Sequence, residues 1–397
     1  MDAIRTMPIL VDNDPDLRAT LADVQSVKQL LSPICYHEGK PLSALTLHRT
    51  AYAAVSGMLS SQMTCTAIRQ VAAAYSSAKS NRKPATRAFG FHRKAALFLV
   101  GSRGRDARFC PDGTISIWTV AGRKRIGFRV PEPFRERFDA AVEIDSLLIR
   151  EVNGELKASV CLTINVPEPV GIHPVGIDLN ETNAIVAVDP DGNEFFYTGK
   201  DHRVRTRRTQ KTRARLQRKL ATRKAQKQDT RSIRRLLKRQ GRVQRNRTRT
   251  FCQTAAKRLV QWAPEHSVLV LEDLRLPRMR KGKTRSVALR RRINQWPHAL
   301  MGACIEHAAE MVGHTVARVN PYRTSRDCCR CGLPGVRSRH RFTCPHCGFT
   351  CQADVGAATN IRNRYTASRG RGVQSTTPEA QDSLEPVGKL SSLGDSR

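Results

Sequence analysis

Acidic residues are scarce in this chain. Only 34 Asp and Glu stand against 69 Lys and Arg, a formal net charge of +35 over 397 residues, with a pI near 10.7. An imbalance of that size opposes compaction by self-repulsion and is hard to explain without a polyanionic partner, so nucleic acid is the expected one. No run of 18 or more apolar residues occurs, which excludes a membrane-spanning helix. The opening MDAIRTMPILVDNDPD lacks the basic flank, long apolar core and cleavage site of a secretion signal. Aromatics make up only 5% of residues, so stacking on single strands falls to a few positions. Cysteine is present but uneven: of twelve, five lie within residues 328–347 and a sixth is Cys351. That crowding reads as a metal site in a reducing compartment rather than a disulfide framework. A hydrophobic fraction of 40% with mixed periodicity excludes collagen, coiled coil and wholesale disorder, and the length predicts two to three domains.

Residues 1–87 read as mainly helical. Asp14-Pro15 is a helix start, with a capping side chain followed by Pro in the first turn, and Leu17, Leu21 and Val24 follow the 3.6 period. Two more helices are expected near 43–58 and 62–79. From about residue 88 the period changes to two (Phe89/Phe91, Leu97/Leu99, Ile115/Ile117, Ile126/Phe128/Val130), with Asp112-Gly113 and Asn153-Gly154 as hairpin turns. This predicts a small antiparallel β unit over 88–170, closed off by Pro167 and Pro169. Residues 203–250 hold 21 Lys and Arg and one acid, Asp229, a local charge of +20. Leu216/Leu220 and Ile233/Leu236/Leu237 give this run helical spacing with a break near 226–230. A solvated helix face normally mixes signs, so a helical hairpin that tracks phosphates is expected. Its candidate contacts are Arg207, Arg208, Lys211, Arg215, Arg218, Lys219, Arg234, Arg235, Lys238 and Arg242. A buried strand SVLVL over 267–271, a long helix over 290–312 and a strand over 315–319 follow. The tail 366–397 reads as disordered.

Two constellations carry chemistry. Cys328-x2-Cys331 and Cys344-x2-Cys347 are paired knuckles, each followed by Gly (Gly332, Gly348), with the spacing of four thiolates around a structural Zn²⁺. Asp178 ends one apolar strand, Glu272 ends another, and Asp354 opens a helix just past the knuckles. Strand-end acids joined by one from a helix are what a site for two Mg²⁺ requires, one ion activating water and the other stabilising the leaving oxygen. Mn²⁺ would substitute. Two weaker readings remain open. Gln62, Thr66 and Gln70 share a helix face and could read base edges beside a target, or simply face solvent. Trp296 could stack near the acids, or pack in the core.

The order GIDLN, basic helices, LVLEDL, TSRDCCRCG, FTCPHCG and ADVGAATNI resembles the transposon-encoded TnpB proteins and their relatives, the type V CRISPR effectors. The resemblance covers roughly 88–365. It implies an α+β multidomain chain: a mainly helical recognition lobe with part of the wedge (1–87), a β-barrel wedge (88–170), and an RNase H-like (RuvC) nuclease domain (171–322) that contains the hairpin. It further implies an inserted zinc ribbon (323–350) and a last RuvC helix (351–365). Asp178, Glu272 and Asp354 map onto the family's catalytic, magnesium-binding acids. The implied activity is RNA-guided DNA cleavage: a guide RNA pairs with double-stranded target DNA beside a short motif, in a prokaryotic cytoplasm at the nucleoid. Monomer and dimer both remain open, as do a guide RNA of transposon or CRISPR origin. The chain departs from the family at Asn180, where a small residue often stands, at Cys351, in place of a polar or acidic residue, and at its start, where the expected strand-then-helix is weakly marked. An RNA-guided binder that does not cut, and a guide-free transposon-associated DNA-binding protein, are the alternatives.

Overall fold

In the computed structural model the chain is described at all residues except 38–39, 84, 102–105, 275–295 and 370–397. Residues 366–369 of the expected tail are helical; its remainder, 370–397, and the first part of the helix expected from residue 290 fall outside the described residues. Two compact units divide at Val166/Pro167.

The first unit pairs three helices with a strongly curved sheet. Its strands are β1 (Asp2–Val11), β4 (Ala95–Leu99), β5 (Ala107–Phe109), β6 (Thr114–Thr119), β7 (Gly122–Arg129), β8 (Ala141–Val152) and β9 (Glu155–Asn165), in the order β4-β8-β9-β1-β7-β6-β5. A two-stranded ribbon, β2 (Tyr36–His37) with β3 (Lys40–Pro41), stands apart. The sheet is a near-closed barrel. At its seam the buried Asp106 carboxylate, before β5, accepts from the Leu99 amide of β4 at 3.1 Å. The helices are α1 (Pro15–Cys35), α2 (Ala44–Val55) and α3 (Ser61–Ser80), with a short α4 (Arg135–Asp139) before β8. Asp14 caps α1 by accepting from the Leu17 amide at 2.9 Å. Leu17, Leu21, Val24, Val27 and Leu31 are all buried.

Two expectations need correction here. The segment before α1 is not helical: β1 lies between β9 and β7, burying Ala3, Met7 and Ile9 by strand alternation. Pro8 obscured that pattern, and it sits where β1 carries only the β9 ladder, since β7 joins it at Leu10 and Val11 alone. Phe89 is not in a strand either. It stacks on Tyr75 at 4.3 Å, and its amide donates to the Tyr75 hydroxyl.

The second unit is a three-layer α/β/α sandwich. Its sheet runs β12-β11-β10-β13-β14, made of β10 (His173–Asp178), β11 (Asn183–Val188), β12 (Glu194–Thr198), β13 (Ser267–Glu272) and β14 (Thr315–Val319). The first three form an antiparallel meander, and β10, β13 and β14 run parallel. The helices are α5 (Lys200–Ala225), α6 (Arg231–Trp262), α7 (His298–Glu310) and α8 (Ala353–Arg369). Period-two alternation sorts the core. Val175, Ile177, Ile185, Ala187, Leu269 and Leu271 face Leu259 and its neighbours on α6 and Ile305 on α7. Val186, Val188, Val268 and Val270 face Val355, Ala358 and Ile361 of α8. A small sheet, β15 (Val336–Ser338), β16 (Arg341–Thr343) and β17 (Thr350–Gln352), carries the cysteine knuckles between β14 and α8.

Gly176 decides how closely α8 approaches. A Cβ there would stand 2.0 Å from the Ala358 carbonyl and 2.7 Å from the Arg362 amide. Backbone cannot yield as a side-chain tip can, so Gly176→Ala must push the helix off the sheet. We expect a loss of about 2–3 kcal/mol, read as a lower denaturation midpoint of the full chain followed by tryptophan fluorescence. An unchanged midpoint would contradict the close packing.

Candidate active site

Strand geometry places two of the acids. The parallel register matches Gly176 with Val270; two residues further along, it sets Asp178 beside Glu272. Both share the face of Gly176 and Val270, the face that α8 covers. Asp354 lies in the first turn of α8, one turn before Ala358, so the contact of Ala358 with Gly176 brings Asp354 to the ends of β10 and β13.

Each carboxylate is held by a neutral donor. Asn180 donates to Asp178 at 3.2 Å while its own carbonyl oxygen accepts from the Thr182 and Asn183 amides. The departure from the family at this position thus builds the turn and orients the acid. Thr324 donates its hydroxyl to Glu272 at 2.5 Å, and Asn360 of α8 pins that loop by donating to the Thr324 and Asp327 carbonyls. Asp354, 1% exposed, accepts from Asn183 at 2.8 Å and from Gln352 at 3.1 Å. Gln352 also caps α8, accepting from the Asp354 and Val355 amides. From the small sheet, Arg337 forms an ion pair with Asp354 at 2.7 Å.

The electrostatics follow. Desolvation pushes Asp178 up to about 7; Glu272 and Asp354 push in the same direction, against the Asn180 hydrogen bond and the Arg337 charge. Glu272 is also raised by burial, partly offset by Thr324 and Arg364. Asp354 is buried, which alone would raise it, but the bonds from Asn183 and Gln352 and the Arg337 charge hold it below the usual carboxylate range. A cluster of hard oxygens in which burial and neighbouring acids raise Asp178 suits divalent cations. Among the described residues, only the cysteine cluster brings its ligand atoms all within 4.8 Å of one another. The acids are more widely set. Two ions about 3.5–4 Å apart need carboxylates on both sides of the pair, a wider span than one ion requires.

The four knuckle cysteines do converge. Cys328 Sγ lies 3.7 Å from Cys347 Sγ, and Cys331 Sγ 3.5 Å from Cys344 Sγ. The edge of a tetrahedron with 2.3 Å metal–sulfur bonds is about 3.8 Å. Both knuckles repeat one hydrogen-bond pattern: the Gly332 amide to the Cys328 carbonyl and the Gly348 amide to the Cys344 carbonyl, with φ of 75° and 70° at the glycines. Cys351 stays outside the set, lying against Cys329 and the ribbon core.

The remaining sequence candidates fall as follows. α5 and α6 form the basic hairpin, breaking between Ala225 and Arg231, with α6 running on to Trp262. All ten named arginines and lysines are exposed, and none has a carboxylate partner among the described residues. Arg213 ties the pair together by donating to the Leu237 carbonyl. Gln62 and Gln70 are part-exposed on α3, whereas Thr66 is 6% exposed and its hydroxyl donates to the Gln62 carbonyl. Trp296 lies before α7 and packs edge-on against Phe251 in the core. Arg337, Thr324, Asn183, Gln352 and Asn360 escaped the sequence reading. Only Gln352 carried a local signal, as a capping side chain next to a helical run.

A three-layer α/β/α sandwich thus carries three acids at one edge of its sheet, and the comparisons with known proteins add to that. A family model described as "Cas12f1-like, TNB domain" matches residues 298–361, and one described as "Probable transposase" matches residues 159–282. A TnpB-like protein of Aquifex aeolicus is 33% identical over 130 residues, 30% of this chain and 42% of that protein. A TnpB-like protein of Methanocaldococcus jannaschii is 29% identical over 196 residues, 48% of this chain and 68% of that one. A solved structure of a Cas12f1–sgRNA–target DNA complex shares the fold with a TM-score of 0.54 at 14% identity, over 88% of this chain and 82% of that one. The chain is thus similar to TnpB-like proteins over part of its length, spanning less than half of the Aquifex aeolicus protein, and it shares the fold of a compact Cas12 effector. No helix among the described residues is long and apolar enough to cross a membrane.

Proposed function

We propose that this protein is an RNA-guided DNA endonuclease whose cutting site is formed by Asp178, Glu272 and Asp354. The observation that carries this reading is the placement of Asp178 and Glu272 side by side at the ends of parallel strands, with Asp354 delivered to them by α8. These acids would hold two Mg²⁺, with Mn²⁺ as a substitute, and the ions would supply an activated water and charge neutralisation at the leaving oxygen. The chain's own part is to fix the carboxylates. Asn180, Thr324, Asn183 and Gln352 each donate a hydrogen bond that orients one of the carboxylates. Arg337 balances Asp354 in the metal-free protein. Cys328, Cys331, Cys344 and Cys347 would hold a structural Zn²⁺ that keeps Arg337 and the start of α8 in place.

The hairpin residues Arg207, Arg208, Lys211, Arg215, Arg218, Lys219, Arg234, Arg235, Lys238 and Arg242 would grip phosphates irrespective of sequence. Base pairing with a guide RNA would then supply specificity, which fits a surface rich in charge and poor in base-reading side chains. The relative solved with an sgRNA and target DNA agrees with this division of labour. Gln62 and Gln70 are the candidates for contact beside the target, with Thr66 engaged inside its helix.

The test is plasmid cleavage by the full chain purified with its co-expressed RNA. Mg²⁺-dependent cutting of a plasmid matching the sequenced RNA, abolished by EDTA, supports the proposal; cutting that ignores the RNA sequence contradicts it.

The raised Asp178 gives a pH dependence. Metal needs the carboxylate, and the metal-free group holds its proton up to about pH 7. Mg²⁺ affinity is therefore expected to fall as pH drops below about 7, by at most about tenfold per pH unit, and to level off above it. Calorimetric titration between pH 5.5 and 8.5 measures this. A flat profile across that range would contradict the raised carboxyl.

A further inference from the structure

One aromatic ring is exposed at the acid edge, and the fold gives it no packing role. Tyr322 is 70% exposed, the most exposed large hydrophobic side chain among the described residues. It lies on the loop after β14, two residues before the threonine that donates to Glu272. The loop is fixed from several sides. The Tyr322 amide donates to Asn320 Oδ1 at 3.0 Å, Thr324 donates to the Pro321 carbonyl, and Asn360 holds the Thr324 and Asp327 carbonyls. Arg364 donates to the Asn320 carbonyl. The next residue, Arg323, is locked by an ion pair to Asp327 at 2.8 Å.

A ring carried on a backbone fixed at these points, yet open on its faces, is pre-organised to bind something flat. Arg323 and Arg364 bracket the loop and Arg326 is exposed on it, so a planar group attached to phosphates meets both π-face and positive charge. A nucleobase is such a group. Stacking does not discriminate among bases, which suits a site that must accept any sequence.

We propose that Tyr322 is a stacking platform for one nucleobase of the single DNA strand that enters the acid edge, next to the phosphate to be cut. This rests on the reading of that edge as a nuclease site. Tyr322 sets where along the strand the acids act; it takes no part in the bond-breaking itself.

The test uses the full chain with its RNA, in Ca²⁺, and single-stranded oligonucleotides carrying 5-iododeoxyuridine at successive positions. Irradiation is expected to crosslink one or two adjacent positions to the peptide containing Tyr322. Tyr322→Ala should weaken binding of that strand about tenfold and Tyr322→Phe should retain it. An abasic nucleotide at the crosslinked position should cost wild type the same factor and cost Tyr322→Ala nothing further. Crosslinks confined to other peptides, or an abasic penalty that is equal in wild type and Tyr322→Ala, would overturn the proposal. Guided cleavage with crosslinks elsewhere leaves the nuclease reading standing and removes Tyr322. A Tyr322 crosslink without any cleavage does the reverse.

Discussion

Replacing Asp178 with alanine is expected to slow Mg²⁺-dependent cleavage by at least about a thousandfold, or ~4 kcal/mol of transition-state stabilisation. Binding of matched target should change by less than about threefold. The first effect is large because Asp178 is the acid placed between the other two: Glu272 is its neighbour across the strand pair, and Asp354 comes from the helix above. Without this carboxylate the proposed site would lose the ligand shared by its neighbours, and with it the charge needed for water activation and leaving-group stabilisation. The second effect is small because guided binding depends on base pairing and on the exposed cations of α5 and α6. Loss of a buried, partly protonated acid should not unfold the sheet; if anything it relieves repulsion from Glu272 and Asp354. Single-turnover cleavage and filter binding on the same preparation separate the two effects. Equal cutting by both proteins would remove Asp178 from the site, and equal loss of binding would mean that the residue is structural.

The second large effect concerns the cysteine knuckles. The full chain should carry one equivalent of zinc, and Cys344→Ser should lose it. A structural zinc contributes on the order of 10 kcal/mol or more to a segment that folds around it, while the ribbon's apolar core beside the cysteines is little more than Phe342, Ala353, Phe349 and Cys351. Without the metal, residues 328–352 should become sensitive to protease. The ribbon also supplies Arg337 to Asp354, and the His340 carbonyl accepts from the Ala353 amide at the start of α8. Cleavage should therefore fall together with zinc content, while the apolar sheet around Val175 and Leu269 persists. Elemental analysis with limited proteolysis decides the matter. A zinc-free protein with an intact, protease-resistant ribbon would contradict this account.

Much of this arrangement was legible in the chain because it depends on local spacing. The cysteine knuckles, the Asp14 cap, the break between the basic helices and the acids ending apolar strands each involve a few consecutive residues. What escaped depends on distance or phase. β1 was hidden because Pro8 interrupts its alternation, and β4 was read one residue out of phase: Ala96 and Phe98 are buried, whereas Leu97 and Leu99 are only partly so. Arg337 could not be told apart among 69 Lys and Arg, since its pairing with Asp354 depends on how the ribbon folds back over 17 residues. Thr324 touches Glu272 across 52 residues of chain, and nothing in the composition of its loop marks it.

The most direct measurement is anomalous diffraction from crystals of the full chain grown in Mn²⁺. The account predicts two manganese peaks about 3.5–4 Å apart, with Asp178 between them and Glu272 and Asp354 on either side, and Arg337 swung away from Asp354. A structure with Mn²⁺ bound elsewhere and the Arg337–Asp354 ion pair intact would contradict it.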